Sequence, residues 1–325
     1  MKASFLRLGL GFCTLLAAPA IAGAALVSMT AGDGFGASSF NSAGTWNNAA
    51  APSAGNDYTN ATFLLRTPAT TSSYTFLGDS LTITGAGLAT AVNNESLMWK
   101  GSGTGAVITV ANLTIDGGQL RHGQGDGDSF TLAGNLAIGA NNANFATQGG
   151  MFISANVSGS TTIRVLDNGN GAAARTITFT SAANTFSGNI ELYGSTAARS
   201  RITLADNANF NFVLGASGVN NRIFGSSGGG TATFNGDFNI DLTGADTAWG
   251  STWDIVDVET VVESWGGTFS IPGWTALDAD TWRTTANGVE YNFYKSTGLV
   301  YVPEPTAALL AGLGLLGLLR RRRHS

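Results

Sequence analysis

Short segments in which hydrophobic and polar residues alternate recur along most of the chain. Each is bounded by Gly, Asn, Asp or Ser, the residue types that form turns. The central region shows no run with the 3.6-residue period of an amphipathic helix. The pattern therefore predicts an all-β body made of many short strands. The clearest strands are predicted at 81–84, 113–116, 130–132, 136–138, 176–179, 190–192, 202–204 and 238–241.

The spacing of these strands predicts a repeated unit of roughly 22 to 32 residues, the size of one rung of a solenoid. The centres are placed at Ile83, Ile115, Ile138, Ile163, Ile190, Phe212 and Ile240. We therefore predict a parallel β-helix or solenoid over residues 25–244. A β-sandwich or jelly roll stays open because the spacing is irregular. Asn135, Asn184 and Asn207 lie beside strands, where stacked or left-handed turns would use them.

Aromatic residues concentrate after Gly244. Five of the seven tryptophans lie there, namely Trp249, Trp253, Trp265, Trp274 and Trp282. A solenoid needs a terminal unit to cover its last rung, so residues 245–302 are predicted to form an aromatic-rich β cap. In that cap we expect Trp253 and Trp282 to be buried. Trp274 follows Pro272-Gly273 and is expected to be exposed.

Both ends of the chain carry targeting patterns. Lys2 and Arg7 lie before an apolar run, and Ala20-Ile21-Ala22 after it offers a cleavage site with small residues. Residues 1–24 are therefore predicted to be a signal peptide. At the other end, the apolar run 306–319 is followed by Arg320, Arg321, Arg322 and Arg323. Counted from Pro303, this run reaches the lower limit of about 17 residues for a membrane-spanning helix. Residues 303–325 are therefore predicted to be a single-helix anchor, with its arginines in the cytoplasm.

The order of these C-terminal parts resembles the PEP-CTERM sorting signal. Its pattern is a Val-Pro-Glu-Pro start, a short hydrophobic segment and a terminal arginine cluster. Val302, Pro303, Glu304 and Pro305, then 306–319, then Arg320 to Arg323 match it in order. The resemblance implies a Gram-negative exported protein that is first anchored in the inner membrane. An exosortase then cleaves it near the Pro-Glu-Pro triplet, and such proteins are associated with exopolysaccharide and the outer surface.

One internal segment, 184–192 (NTFSGNIEL), resembles the autotransporter-associated β-strand repeat. Residues 113–120 (LTIDGGQL) are similar to a degenerate copy. The resemblance implies stacked rungs of a right-handed parallel β-helix in an exported protein.

Composition limits the partners and the chemistry. Charged residues make up only 11% of the chain. Without the six basic residues of the two terminal segments, 10 basic residues face 21 acidic ones. This excess of negative charge argues against nucleic acid as a partner. The single cysteine, Cys13, lies in the predicted signal peptide, so no disulfide is expected in the body.

Few side chains are available for catalysis or metal binding. His122 is the only histidine outside the tail, which excludes the usual Ser-His and Cys-His nucleophiles and His/Cys zinc sites. It is placed in a loop-like run, where Asp126 and Asp128 could bind calcium. That motif occurs once, so we expect an ordinary turn and no metal or cofactor. The candidate acid and base residues of a glycosidase are Asp254, Asp257, Glu259 and Glu263. Strand alternation places the first two on opposite faces, so no catalytic residue is predicted.

The sequence therefore predicts an exported, non-catalytic surface or extracellular-matrix protein with an adhesive or structural role. The expected partners are an exosortase and an exopolysaccharide. The alternative is a polysaccharide-binding or polysaccharide-degrading β-helix. Ice binding is a third alternative, because the pairs Thr82/Thr84, Thr176/Thr178 and Thr231/Thr233 occur, although at irregular spacing.

Overall fold

A computed structural model of the protein describes residues 24–125, 127–167, 175–194 and 200–304. These ranges contain strands, turns and irregular segments but no helix, so the prediction of an all-β body is confirmed. It follows that none of the described residues forms a helix that could cross a membrane. The predicted signal peptide and most of the predicted anchor lie outside the described residues, and both stay predictions.

The described residues form 26 strands, numbered in chain order. The first ten are β1 (Ala25–Ser28), β2 (Asn56–Thr59), β3 (Leu65–Arg66), β4 (Tyr74–Phe76), β5 (Ser80–Thr84), β6 (Ser96–Trp99), β7 (Ala106–Asp116), β8 (Gln119–His122), β9 (Ser129–Ile138) and β10 (Ala143–Thr147). The next ten are β11 (Gly150–Ile153), β12 (Asn156–Ser158), β13 (Ile163–Asp167), β14 (Ile177–Phe179), β15 (Ile190–Tyr193), β16 (Ser200–Leu204), β17 (Asn209–Val213), β18 (Ile223–Ser226), β19 (Gly230–Phe234) and β20 (Asp237–Asp241). The last six are β21 (Thr252–Asp254), β22 (Val261–Trp265), β23 (Thr275–Ala276), β24 (Thr281–Ala286), β25 (Val289–Tyr294) and β26 (Leu299–Tyr301).

Two long parallel sheets organise the body. The first sheet has the order β1-β2-β5-β7-β9-β11-β14-β16-β19-β22, with β4 beside β7 and β12 beside β9. The second sheet has the order β3-β6-β8-β10-β13-β15-β18, and a third parallel pair joins β17 to β20. From β5 to β16 the chain visits the first and second sheets by turns, adding neighbouring strands to each in the same direction. This arrangement is compatible with a β-helix or solenoid.

The core is a set of aligned apolar side chains between the sheets. In the second sheet, register places six buried residues in one column: Leu65, Leu97, Leu120, Phe145, Val165 and Leu192. The step between partners varies from 20 residues (Phe145 to Val165) to 33 (Leu192 to Gly225). A continuous hydrophobic core therefore runs along the body although the repeat length is not constant.

The predicted strand centres, taken as equivalent positions of one repeated unit, do not all lie in the same sheet. Ile83, Ile115 and Ile138 do lie in register on the first sheet. Ile163 pairs with Ile190 in the second sheet, however, and Phe212 pairs with Ile240 in the third. Each sheet shows the same inward apolar and outward polar alternation, so the local pattern identifies a strand without identifying its sheet.

Asparagine side chains support the corner that divides β7 and β9 into two halves. Asn112, Asn135 and Asn156 are register partners on successive strands. Asn135 Nδ2 donates to Asn112 Oδ1 at 3.3 Å and to the carbonyl of Ala111 at 3.1 Å. Further along, Asn184 Nδ2 donates to the carbonyl of Asn209 at 3.1 Å. The predicted stacking is confirmed at these positions.

Asn207 adopts the left-handed turn conformation, which was the other role predicted for the asparagines. Its φ is 62°, in the left-handed region, where an L-residue other than Gly is uncommon. The turn between β16 and β17 therefore depends on a residue type that tolerates this conformation.

The segment 85–94, which we call the cover segment, crosses the outer face of the second sheet. Gln119 Nε2 donates to the carbonyl of Ala91 at 2.9 Å, and Arg164 Nη1 donates to the carbonyl of Ala89 at 3.1 Å. Between them, Asn144 Nδ2 donates to the carbonyl of Gly87 at 2.8 Å. The three side chains belong to neighbouring strands, so they hold the cover segment by hydrogen bonds across three strands of the sheet.

The C-terminal region contains an antiparallel sheet of order β21-β26-β25-β24-β23. Within the same region, β22 still pairs in parallel with β19 and extends the first sheet. Trp265 at the end of β22 lies 5.7 Å, between ring centroids, from both Phe238 and Phe293. Aromatic rings therefore connect the parallel body to the antiparallel sheet. The predicted boundary at residue 244 stays a prediction.

The tryptophans of this region differ in burial. Trp253 is fully buried, as predicted, whereas Trp282 is half-buried against Phe269. Trp274 was predicted to be exposed and is half-buried against the core. Its amide donates to the carbonyl of Ile271 at 3.0 Å, which closes a turn and returns the ring to the body. The exposed indole is instead that of Trp249, at 66% exposure.

Candidate functional site

The sequence-predicted sorting residues begin inside the folded body. Val302 follows β26 directly, and its side chain is buried. Its amide donates to the carbonyl of Ser251 at 2.9 Å, and its carbonyl accepts the amide of Gly250 at 2.9 Å. β26 itself lies between β21 and β25. The antiparallel sheet therefore holds the first residue of the predicted signal by hydrogen bonds and by packing.

The next two residues of the predicted signal leave the sheet. Pro303 has no amide hydrogen, so the pairing made by Val302 is not continued on its donor side. Glu304 is exposed, and its amide donates to the Tyr301 hydroxyl at 3.3 Å. Pro305 and Arg320 to Arg323 lie outside the described residues. The described part of the signal thus changes from buried at Val302 to exposed at Glu304 within three residues.

Comparison with protein families matches this tail. Residues 302–323 match the PEP-CTERM protein-sorting motif. This motif is the recognition signal for exosortase processing and indicates a secreted, exosortase-processed protein. The match begins at Val302, the residue at which the packed body ends. No curated protein and no solved structure matches the chain.

A cleft of about 500 Å³ lies where β18 approaches the antiparallel sheet. Arg222, Asp254, Asp257 and Glu259 contribute to its lining. Arg222 Nη1 lies 2.6 Å from Asp254 Oδ2 and 4.0 Å from Asp257 Oδ2. The structure therefore brings three of the four predicted carboxylates together around one arginine. Glu263, the fourth, lies on β22 and does not line this cleft.

The expectation that Asp254 and Asp257 face opposite sides was wrong. The amides of Ile255 and Val256 both donate to the carbonyl of Gly298, at 2.9 and 3.2 Å. Two successive residues thus face one partner residue, as in a β-bulge. Ile255 and Val256 are both buried, so the alternation shifts by one position and both carboxylates reach Arg222.

The surroundings of Asp254 in this cleft shift the pKa of its carboxyl group. Burial raises the pKa of Asp254, and the hydrogen bond and positive charge of Arg222 oppose that shift. A carboxyl group with a raised pKa beside a second carboxylate is the arrangement that acid–base catalysis on a glycosidic bond requires. Arg222 was missed in the sequence because it lies 32 residues before Asp254, and no local motif connects the two.

His122 does not lie in a solvated loop, as its sequence context predicted. It is the last residue of β8 and is fully buried, with its ring centroid 4.7 Å from that of Trp99 and 6.0 Å from that of Phe130. Burial lowers the pKa of His122 to about 4. The imidazole is therefore neutral at pH 7 and packs as an aromatic ring of the core.

The predicted turn near His122 is described only in part, because Asp126 lies outside the described residues. The Asp128 carboxylate accepts the amides of Gly103 at 2.6 Å and Gly125 at 3.1 Å. Among the described residues, no group of three or more His, Cys, Asp or Glu side chains is placed to hold a metal ion. Asp128 acts as a turn residue here.

Two of the three threonine pairs considered for ice binding lie on one face of the first sheet. Thr178 is the register partner of Thr203, and Thr203 that of Thr233. Thr82 and Thr84 lie on β5, whose partners on β7 are Thr114 and Asp116. The threonines are thus more regular in space than in sequence, but they do not form one ladder. Thr178, Thr203 and Thr233 share a column, Thr82 pairs with Thr114, and Thr84 pairs with a carboxylate, Asp116.

Proposed function

We propose that the protein is an exported, non-catalytic β-solenoid that acts at the cell surface or in the extracellular matrix. The precursor is anchored in the inner membrane by residues 303–325, and an exosortase processes it near Pro303, Glu304 and Pro305. The body then has a structural or adhesive role with exopolysaccharide as its partner. The observation that carries this proposal is the position of the sorting motif, which starts at the residue where the packed body ends.

The parallel sheets support the solenoid part of the proposal. Residues 113–116 end β7 and Leu120 lies on β8, whereas Leu192 lies on β15 of the same sheet as β8. Leu120 and Leu192 occupy one column, through Phe145 and Val165. The segments 113–120 and 184–192 thus turn into the second sheet at equivalent places. We interpret them as two copies of an autotransporter-associated β-strand repeat.

The test compares tail variants in the native host by fractionation and by apparent mass. Truncation after Val302 keeps the residue that pairs with Ser251, so it should yield a folded protein that is released in soluble form. Replacing Pro303, Glu304 and Pro305 together by alanine should instead accumulate an unprocessed, membrane-associated precursor. Wild-type behaviour of both variants would refute exosortase sorting. Truncation after Gly298 is the matched control for folding, because it removes β26 and should destabilise the body.

A second candidate function is hydrolysis of a polysaccharide at the Arg222 cleft. The observation that favours it is the position of Asp254 and Asp257 within 4.0 Å of one guanidinium nitrogen. Release of reducing ends from acidic and neutral polysaccharides tests this function. Asp254→Asn should abolish such an activity, and Glu263→Gln, outside the cleft, should not. An absence of release by the wild-type protein would eliminate the candidate.

A further inference from the structure

Three cationic side chains lie together on the outer face of the second sheet. Arg66 on β3 is the register partner of Met98 on β6, and Met98 is the partner of Arg121 on β8. Lys100 directly follows β6, the middle of the three strands. Neighbouring strands are about 4.8 Å apart. The body therefore carries two cations on strands β3 and β8 and a third just beyond the end of β6 between them, which we call the basic column (Arg66, Lys100, Arg121).

The basic column has no acidic partner among the described residues. Lys100 Nζ donates to the carbonyl of Gly123 at 2.5 Å and to Gln124 Oε1 at 2.8 Å, both neutral acceptors. Arg121 Nη1 donates to the carbonyl of Asn93 at 3.4 Å. The Nε atoms of Arg66 and Arg121 are buried and make no hydrogen bond. Two guanidinium groups thus keep unused donors next to a third positive charge.

This arrangement opposes stability. Burial, followed by repulsion from Arg66 and Arg121, lowers the pKa of Lys100. Burial and repulsion from Arg66 lower the pKa of Arg121 in the same way. Arg164, further along the same face, differs from the basic column because it has an acidic partner. It forms a bidentate ion pair with Glu191 at 2.8 and 3.1 Å. The fold therefore neutralises one arginine of this face and leaves three cations without a counter-charge, although acidic residues outnumber basic ones in the body.

We propose that the basic column binds an extended acidic polysaccharide through carboxylate groups on neighbouring sugars. Arginine donors match the planar carboxylate group, and each guanidinium has Nη donors besides its buried Nε. A single small anion would meet only part of the column, because Arg66 and Arg121 are two strands apart. A chain with repeated carboxylates supplies the negative charges that the three strands lack. The proposal deepens the exopolysaccharide role given above and rests on it for the source of the ligand.

The direct test is titration calorimetry on the full chain with an oligogalacturonate of about ten sugars. We expect binding that weakens as salt is added, because exposed charges are screened. Lys100→Gln and Arg121→Gln should each reduce the affinity about tenfold, the effect of removing one charge-assisted contact. Lys295→Gln is the matched control, because it makes the same charge change in the turn after β25 of the C-terminal region and should leave the affinity unaltered.

Two further ligands separate the possible sources of binding. A neutral cello-oligosaccharide of equal length should not bind, and monomeric galacturonate should bind far more weakly than the oligomer. Equal affinity for the monomer would reduce the basic column to a small-anion site and overturn the extended-chain proposal. If Lys295→Gln and Lys100→Gln lowered the affinity equally, the binding would depend only on the net charge of the protein. That result would also overturn the proposal.

Thermal melting gives a second measurement that a purely structural role would not reproduce. Without ligand, Arg121→Gln removes a repelling charge with an unused donor, so its melting temperature should equal or exceed that of the wild type. Oligogalacturonate should raise the melting temperature of the wild type and leave that of Arg121→Gln unchanged. A large destabilisation by Arg121→Gln and no ligand effect on the wild type would refute the proposal. None of these outcomes depends on sorting, so failure here and failure of the tail experiment are distinguishable.

Discussion

Ala89 and Asn144, 55 residues apart in the chain, are joined by a hydrogen bond of 2.8 Å from the Ala89 amide to Asn144 Oδ1. The same side chain donates through Nδ2 to the carbonyl of Gly87. One buried amide side chain thus fixes the middle of the cover segment on the second sheet. Its burial is possible because both of its polar atoms are paired.

Asn144→Ala should detach the cover segment from the second sheet. The change removes the partner of two half-buried backbone groups, the Ala89 amide and the Gly87 carbonyl, so it should cost about 1–3 kcal/mol of unfolding free energy. Proteolysis and amide exchange should increase within 85–94. Asn135→Ala is the control, because that exposed amide belongs to a corner, and it should cost less than about 1 kcal/mol. Equal protection of the segment in both variants would contradict this role of Asn144.

The stability of the body should fall as the pH decreases from about 6.5 to about 4. The folded state holds the pKa of His122 at about 4. In this range the unfolded chain binds a proton that the folded chain does not, so the contribution of His122 falls by up to roughly 3 kcal/mol. His122→Gln lacks this titration. Denaturant unfolding of both proteins at several pH values isolates the difference, and parallel curves would disprove it.

Leu120→Ala should be strongly destabilising. Leu120 is buried between its register partners Leu97 and Phe145, so truncation leaves a cavity in the column and should cost about 2–5 kcal/mol. Trp249→Ala removes a larger but exposed side chain and should change stability by no more than about 0.5 kcal/mol. Chemical denaturation measures the unfolding free energy of both variants. Equal losses in the two variants would mean that the Leu120 column is not part of the core.

Trp253 should contribute both packing and hydrogen bonding. Its ring is fully buried, and Nε1 donates to the carbonyls of Gly215 at 3.1 Å and Ala216 at 3.0 Å. Trp253→Ala should cost about 3–5 kcal/mol. Trp253→Phe keeps most of the ring but removes both indole hydrogen bonds. The carbonyls of Gly215 and Ala216 keep the amides of Asp246 and Val219 as donors, so only about 0.5–1.5 kcal/mol is expected. Thermal melts of the two variants test this order, and a reversed order would contradict it.

Removal of divalent cations should leave the melting temperature unchanged. The Asp128 carboxylate already accepts two backbone amides, and the described residues provide no metal-binding group around it. Melting with and without chelator is the measurement. A fall of several degrees that calcium reverses would identify a metal site that includes residues outside the described ranges.

Local sequence predicted the strands well because alternation is a local property. Leu113 and Ile115, the apolar positions of the strand predicted at 113–116, are both buried. The identity of the partner strand is not local, which explains why Ile163 and Ile190 were grouped with strand centres of the first sheet. The bulge at Ile255–Val256 changed the faces of Asp254 and Asp257, since one extra residue reverses the alternation that follows it.

The candidate sites divide in the same way. The sorting motif is contiguous, so Val302 to Pro305 could be found by reading the sequence. The basic column is assembled from residues of three segments that are distant in sequence, and nothing near Lys100 indicates Arg66 or Arg121. The sequence did not predict the burial of His122 either. The residues that follow it, Gly123 and Gln124, indicate a loop, whereas its ring packs on Trp99, which is distant in sequence.

The attachment of the tail to β26 has a mechanical consequence. β26 lies between β21 and β25 and is not an edge strand. A pulling force along β26 is parallel to the strand, so it shears the hydrogen bonds to β21 and β25 at the same time. The bonds therefore resist together and do not break one after another. In the proposed membrane-tethered precursor, force transmitted through Pro303 would therefore act on a strand that is hydrogen-bonded on both sides. The residues beyond Val302 should yield or be cut before the body unravels.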